Sequence, residues 1–317
     1  MMINSTPLVT IAVVTYNSSQ TILETLESVK EQTYKNIELI ISDDCSSDNT
    51  TDICQKWLQK NAIFFQTCKL LKYSINTGVA ENCNRAYRES NGKWIMFVAG
   101  DDALLPNCIL DYINFSSQHP QMKICQSIGR MYKTNLLESS YIGNYIHPKH
   151  NLFYQHPNNT NWQYKVLLHW NPVAAPSVII NANIFKEIGM FNPDLPFEDW
   201  PFWLQATKAN TYIFFMPTET IKYRIQPKSI TNHNIKGKRY QPILFKEGEI
   251  YYKYIRKDID IISRIIKDYQ YYRLNILKRK GWDDYHWSSR IIQIITKLPE
   301  YICLPFYKLY LKKFIFK

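Results

Sequence analysis

The chain has 317 residues, 45% of them hydrophobic and 15% aromatic, enough for one large α/β domain with an appendage and an ample core. Its net charge of +11 sits at one end: residues 236–317 hold 19 Lys and Arg against 8 Asp and Glu, while residues 1–235 balance at 19 of each. Seven scattered cysteines without a CxxC pair argue against a disulfide framework or zinc site, and no apolar run reaches the ~20 residues of a bilayer span.

Leu8–Thr15 is a β-branched run and predicts a buried parallel strand. Tyr16-Asn17-Ser18-Ser19 follows, then an amphipathic helix from about Gln20 to Glu31, capped by Ser18 or Ser19. A second strand, Ile37–Ser42, ends at Asp43-Asp44, and Ser47-Asp48 open a helix to about Gln59. A short strand near 70–73 precedes Asn76-Thr77-Gly78 and a helix from Val79 to Glu89, which Asn91-Gly92 ends through a left-handed glycine. Lys93–Ala99 is the next strand; it delivers Gly100-Asp101-Asp102, and Pro106 begins a helix to about Gln118.

Beyond residue 122 the pattern loosens. Residues 123–133 predict a strand, 139–161 a polar loop, 162–169 a helix, 177–181 a strand and 182–188 a helix. Pro196-Phe197-Glu198-Asp199 leads into a helix carrying Trp200, Phe202, Trp203 and Leu204, and strands at 212–216 and 220–225 close the domain. Residues 240–280 predict helix, and 290–317 an apolar-basic stretch broken by Pro299 and Pro305. The alternation predicts an α/β fold with a mostly parallel sheet flanked by helices over residues 1–235, followed by a basic, mainly helical region over 236–317. Right-handed crossovers put the loops after Thr15, Ser42 and Ala99 on one edge.

A carboxylate pair at the C-terminal end of a strand lies at the rim of an open sheet, where α/β enzymes bind ligands. Asp43-Asp44 and Asp101-Asp102 are both placed so, and one pair is expected to read a nucleotide base, the other a metal with its phosphates. The chain has no Walker A or GxGxxG cradle, so a diphosphate needs a cation, and oxygen ligands suit Mn2+ or Mg2+. Asp101 and Asp102 are the candidate ligands; neighbouring side chains on an extended chain diverge, so one takes the metal while the other reaches the ribose or the loop. Asp44 offers an acceptor to a pyrimidine imide N–H, with Asp43 left to cap a turn. Tyr16 offers a ring to the base, and Thr15 and Asn17 offer hydrogen bonds at the same edge. Tyr164, Trp170, Trp200 and Trp203 form either a sugar-stacking platform or core.

The runs VTIAVVTYNSSQTILETLESVKEQTYKNIELIISDDCSSDNT, NTGVAENCNRAYRESNGKWIMFVAGDDALLP and GMFNPDLPFEDWPFWLQ, in this order over roughly residues 7–225, resemble the signatures of family 2 glycosyltransferases, which have the GT-A fold. The resemblance implies an inverting, metal-dependent transferase using a nucleotide-diphosphate sugar, with UDP favoured as carrier. Its acceptor would be a hydroxyl of a glycan or lipid-linked intermediate in surface polysaccharide synthesis. By position, Thr15, Tyr16, Asn17, Asp44, Asn84, Asp101 and Asp102 would bind the nucleotide sugar, and Asp101 with Asp102 would carry Mn2+ or Mg2+. Asp199 would be the general base that deprotonates the acceptor hydroxyl, supported by Glu198.

Three departures from the family pattern stand out. Its DxDD reads Ala99-Gly100-Asp101-Asp102, without the first acid. Cys83 precedes Asn84 where many members have Arg, with Arg85 as a candidate replacement. A late YRxH segment reads Tyr223-Arg224-Ile225-Gln226, so Gln stands where a His is usual and His233 is the candidate stand-in.

The basic C-terminal region mixes Tyr, Ile, Leu and Phe with its Lys and Arg, which suits an anionic membrane surface. MMINSTPLVT carries neither the basic nor the apolar part of a secretory leader, so the expected location is cytoplasmic, on the inner face of the membrane. Two rival readings are weaker. A sugar nucleotidyltransferase would want a glycine- and Arg/Lys-rich loop after the first strand, and none is there. A nucleic-acid-binding protein would use the basic tail but leave the acidic rim unexplained, so no nucleic acid is expected.

Overall fold

The structure, a computed structural model, describes residues 6–195, 198–225 and 242–316, with side chains from 245 onward in the last stretch. It divides into two compact units, Met1–Ile225 and Gln226–Lys317. The first unit runs β1 (Val9–Thr15), α1 (Ile22–Lys30), β2 (Ile37–Asp43), α2 (Thr50–Asn61), β3 (Thr67–Lys72), α3 (Val79–Arg88), β4 (Trp94–Ala99), β5 (Ala103–Leu104) and α4 (Cys108–Gln118). It continues through β6 (Ile124–Lys133), β7 (Tyr141–Tyr145), α5 (His150–Phe153), α6 (Thr160–Leu167), β8 (Val178–Asn181), α7 (Ile184–Ile188), α8 (Asp199–Lys208) and β9 (Ile213–Ile225).

Among the described residues nine strands form one sheet in the order β3-β2-β1-β4-β8-β6-β9-β5, with β7 paired to β6. The β3-β2-β1-β4 half is parallel. In the other half β8 is antiparallel to both β4 and β6, β9 is parallel to β6, and β5 and β7 are antiparallel to their neighbours. β2 is buried along its whole length and β1 at all but one residue, as helices on both sheet faces require. Ile11, Val13, Leu26, Leu39, Trp57 and Met96 belong to the main core.

One charge lies inside this core. Glu38 on β2 accepts from Thr10 Oγ1 (2.5 Å), Asn91 N (2.7 Å), Asn91 Nδ2 (2.9 Å) and Thr67 Oγ1 (3.2 Å). Burial works against its charge, but the hydrogen bonds from Asn91, Thr10 and Thr67 outweigh it and hold the carboxyl below the ordinary glutamate value. The same network explains Gly92, which does not end α3 in a left-handed conformation as expected. A Cβ there would lie 2.5 Å from the backbone N of Thr10, so glycine is required by close approach.

Other expectations change in detail. The predicted side-chain cap of α1 is not made; the Ser18 carbonyl instead accepts from Thr21 N and Ile22 N, both at 2.9 Å. The stretch 139–161, expected to be loop, contains β7, the short helix α5 and the first two residues of α6. The two expected C-terminal strands are one, β9, and Pro217 lies where its pairing with β6 shifts register, which accommodates a residue without an N–H.

The second unit contains α9 (Pro242–Ile250), which runs on as a wider turn at Tyr251–Ile255, then α10 (Ile261–Arg279) and α11 (Trp287–Tyr310). Asp260 caps α10 by accepting from Ser263 N at 2.9 Å. Arg256 forks onto Asp268 with two bonds of 2.8 Å. α11 passes through Pro299 and Pro305 without the expected breaks. The carbonyls these prolines leave unpaired belong to Ile295 and Tyr301, both exposed. No described helix is long and apolar enough to cross a membrane. All seven cysteines are unpaired.

Candidate active site

Three parallel strands end level with one another. Thr15 pairs with Asp43 in register, Asp44 N donates to Thr15 O at 3.0 Å, and Gly100 N donates to Val14 O at 2.9 Å. The loops after β1, β2 and β4 therefore share one rim. Tyr16 stands half exposed there.

Asn17 adopts a left-handed conformation (φ 51°), which asparagine tolerates, and its Oδ1 accepts from Ser47 N at 2.8 Å. Its own N–H donates to Ser46 Oγ at 2.8 Å. Asp43 accepts from Ser46 N at 2.9 Å and from Ser46 Oγ, which makes it the turn residue expected. Asn17 and Asp43 thus hold two rim loops together.

Asp44 is buried and its carboxylate faces the start of α3. It accepts from Gly78 N (2.8 Å), Thr77 N and Oγ1 (each 3.1 Å) and Arg85 Nη1 (2.8 Å). The Arg85 guanidinium also lies 3.8 Å from the Tyr73 ring centroid. In this structure Asp44 organises the Thr77–Gly78 turn and the arginine, where the sequence suggested a plain acceptor for a base. Asn84, expected to contact the nucleotide, is tied to the backbone of Phe191. Its amide is buried, donating to Phe191 O at 2.8 Å and accepting from Phe191 N at 3.0 Å, so it pins the chain that leads towards Glu198-Asp199.

The Gly100-Asp101-Asp102 turn is clasped from two sides. From α1, Thr21 Oγ1 donates to Gly100 O (2.8 Å) and Thr25 Oγ1 to Asp102 O (2.6 Å). From β9, Arg224 donates its backbone N–H to Asp102 Oδ1 (2.9 Å) and Nε to Asp101 O (2.8 Å). Its remaining donors reach Thr134 O and Glu24. Gly100 is needed because a Cβ would come within 2.7 Å of Thr15 Oγ1 and 3.0 Å of Ser18 Oγ. Nothing in the sequence assigned Arg224 this clamp; its signal was the Tyr-Arg pair late in the domain.

Asp102 Oδ2 is buried without a hydrogen-bond partner, as is Thr15 Oγ1. Burial, then the charge of Asp101, raises the Asp102 carboxyl well above its ordinary value; burial also raises Asp101, against the pull of Arg224. A divalent cation fits this pair, since it would give the orphaned oxygen a partner and relieve two crowded carboxylates. Among the described residues no group of three or more His, Cys, Asp or Glu could hold a metal. Two carboxylates leave room for substrate phosphates, which is how Mg2+ is commonly held.

Asp199 opens α8. Its Oδ1 accepts from Trp200 N (2.7 Å) and Oδ2 from Asn171 Nδ2 (2.8 Å). Asn171 was not foreseen. Burial raises the Asp199 carboxyl, and burial with the Asp199 charge pushes Glu198 up to about 7. Tyr145, stacked on Tyr223 at 5.1 Å, is raised by burial and then by the charges of Asp199 and Asp102. Trp200 and Trp203 are core, Trp200 donating to Leu167 O at 2.9 Å. Trp170 and Tyr164 carry Lys149 and Lys208 over their rings at 4.9 and 5.6 Å. Gln226 and His233 lie outside the described residues.

Residues 10–170, just over half the chain, match the family described as Glycosyl transferase family 2. The chain is 27% identical over 229 residues to UDP-Glc:alpha-D-GlcNAc-diphosphoundecaprenol beta-1,3-glucosyltransferase WfaP of Escherichia coli, covering 72% of this chain and 82% of that one. Among solved structures it is similar to S. aureus TarS 1-349 in complex with UDP-GlcNAc (TM-score 0.58, 19% identity, 84% of this chain and 72% of that chain). It is also similar to the mannosyltransferase PcManGT from Pyrobaculum calidifontis in complex with GDP-Man and Mn2+ (TM-score 0.53, 17% identity, 72% and 59%).

Proposed function

The chain belongs to glycosyl transferase family 2, has the GT-A fold and is a glycosyltransferase; we propose that it inverts the donor's anomeric centre in one displacement, moving a hexosyl or N-acetylhexosaminyl group from a UDP-sugar to a hydroxyl of a lipid-linked or growing glycan. The product would be a surface polysaccharide such as capsule or lipopolysaccharide. TarS, with its UDP-GlcNAc, and WfaP, a glucosyltransferase of a diphosphoundecaprenol-linked sugar, support this donor and acceptor chemistry.

The observation that carries the reading is the buried Asp102 oxygen left without a donor beside Asp101, at the rim where three strands end. Asp101 and Asp102 would hold Mn2+ or Mg2+ there, and the bound cation would neutralise charge growing on the leaving diphosphate. Tyr16, Thr15 and Asn17 would line the nucleoside side, with Asp44 and Arg85 below. Asp199 accepts the proton of the acceptor hydroxyl as that oxygen bonds to the anomeric carbon and the bond from carbon to diphosphate breaks. Asn171 orients Asp199 from behind. Residues 1–235 would be the catalytic domain, and the basic region 236–317 would hold it at an anionic membrane on the cytoplasmic face.

The test is a panel of nucleotide sugars with Mn2+ and a glycan acceptor, with released UDP and the glycoside product both measured. Asp199→Asn should bind donor as before and transfer roughly 10²–10⁴ times more slowly. Release of pyrophosphate in place of UDP, or undiminished turnover by the variant, would contradict the reading.

A further inference from the structure

In the second unit the helix pair is turned inside out. α11 meets α10 through polar groups, Tyr269 Oη donating to Thr296 O at 2.7 Å and Arg273 pairing with Glu300, and is tied to the connecting loop by Gln293. Ser289 and Gln293 are buried, and Gln293 Nε2 donates to Trp282 O (2.6 Å) and Asp284 O (2.9 Å). Glu300 accepts from Arg273 Nε at 2.6 Å in a pair nearly shut off from water. At 3.6 residues per turn, Ser289, Gln293, Glu300 and buried Leu311 fall on one side.

The opposite side is apolar and bare. Ile291, Ile295, Leu298, Ile302, Phe306 and Leu309 form a continuous stripe, and all six are exposed, Ile302 to 67% and Phe306 to 72%. A helix on the surface of a water-soluble domain shows the reverse arrangement. Arg290, Lys297 and Lys308 share one flank of the stripe, and Lys312-Lys313 follow it. The one acid of α11, Glu300, is held by Arg273, so the outward surface is apolar and cationic.

That combination selects the occupant. A second copy of the chain would cover the stripe but bring only more cations and no counter-charge for its flank. Anionic lipid answers both features at once, with acyl chains for the stripe and phosphates for its flank. We infer that α11 lies in the plane of an anionic bilayer with the Ile291–Leu309 stripe sunk at the boundary between headgroups and acyl chains and Arg290, Lys297 and Lys308 at lipid phosphates. This rests on the membrane role proposed for the basic region and assigns it one face of one helix.

Full-length protein is sedimented with vesicles of phosphatidylglycerol and phosphatidylcholine, or phosphatidylcholine alone, alongside Ile295→Glu/Ile302→Glu/Phe306→Glu. The wild type should bind the anionic vesicles and the triple variant roughly a hundredfold more weakly, with circular dichroism and transfer to a soluble acceptor unchanged. Should the triple variant lose helix, Ile302→Glu alone should weaken binding about tenfold. Equal binding by the apolar variants, with loss only in Arg290→Gln/Lys297→Gln/Lys308→Gln, overturns the stripe and leaves the membrane role standing. A wild type that binds no vesicle overturns both. A wild-type dimer that the triple variant converts to monomer, with no vesicle binding, assigns the face to self-association and overturns the inference.

Discussion

Arg224 holds Asp102 through its backbone N–H at 2.9 Å, while its guanidinium reaches the carbonyl of the preceding Asp101 at 2.8 Å. One residue of the last strand of the domain thus sets the carboxylate pair at the end of β4. The same guanidinium ties in Glu24 and the Thr134 carbonyl, so α1, β9 and the loop after β6 meet at this turn.

Arg224→Met should therefore raise the Mn2+ concentration needed for half-maximal activity by roughly ten- to hundredfold, because residues that orient metal ligands act at that scale. Arg224→Lys should recover part of the loss through Glu24 but not the fork to two carbonyls. Activity titrated with Mn2+ measures this. An unchanged metal midpoint in the methionine variant would remove Arg224 from the site.

Arg85 is the charged partner of buried Asp44. Arg85→Met should raise the Kd for UDP roughly ten- to hundredfold, the scale of a hydrogen bond to a charge, with kcat moved far less. Combined with Asp44→Asn the effects should fall short of their sum, since both act through one contact. Calorimetry on the two single variants and the double variant decides it; strict additivity would mean the pair does not work as a unit.

Glu198 has a folded-state value of about 7 against an ordinary 4.5. The folded protein then binds more protons than the unfolded chain between these values, so stability falls as pH rises from about 4.5 to about 7. Glu198→Gln should flatten that slope, with a difference on the order of 2 kcal/mol across the window. Urea midpoints at several pH values provide the measurement, and parallel curves would count against the shift.

Glu38 carries the opposite sign. Its folded value lies below the ordinary one, so its contribution is complete above about 4.5 and is lost as pH falls through the folded value. Glu38→Ala leaves the buried Thr10 hydroxyl without its acceptor and hands the exposed Thr67 and Asn91 donors to water, and should cost about 2 kcal/mol near neutral pH. Thermal or urea unfolding would show it; a loss below about 0.5 kcal/mol would mean water replaces the carboxylate.

Much of the domain was legible because its signals are local. The β-branched run ending at Thr15, the acid pairs closing β2 and β4, and the Pro106 helix start are each written within a few residues, and together they imply the parallel half of the sheet. β5 and β7 were not legible. One is two residues long and the other polar and half exposed, and both exist through pairing with β9 and β6.

The residue types of the site, Asp44, Asp101, Asp102 and Asp199 among them, are determined by the sequence alone, because motif spacing on strands and helices is a short-range property. Which side chain faces what was decided by the tertiary structure. Asp44 turned towards Arg85, Asn84 towards Phe191, Arg224 onto the aspartate pair and Asn171 onto Asp199 through contacts between residues 28 to 122 positions apart. The direction of a polar side chain depends on donors that only folding brings near, and periodicity does not encode them. The charge of the last 82 residues was likewise plain in the sequence. That α11 hides its polar stripe and bares its apolar one emerged only when α10 supplied Arg273 for Glu300.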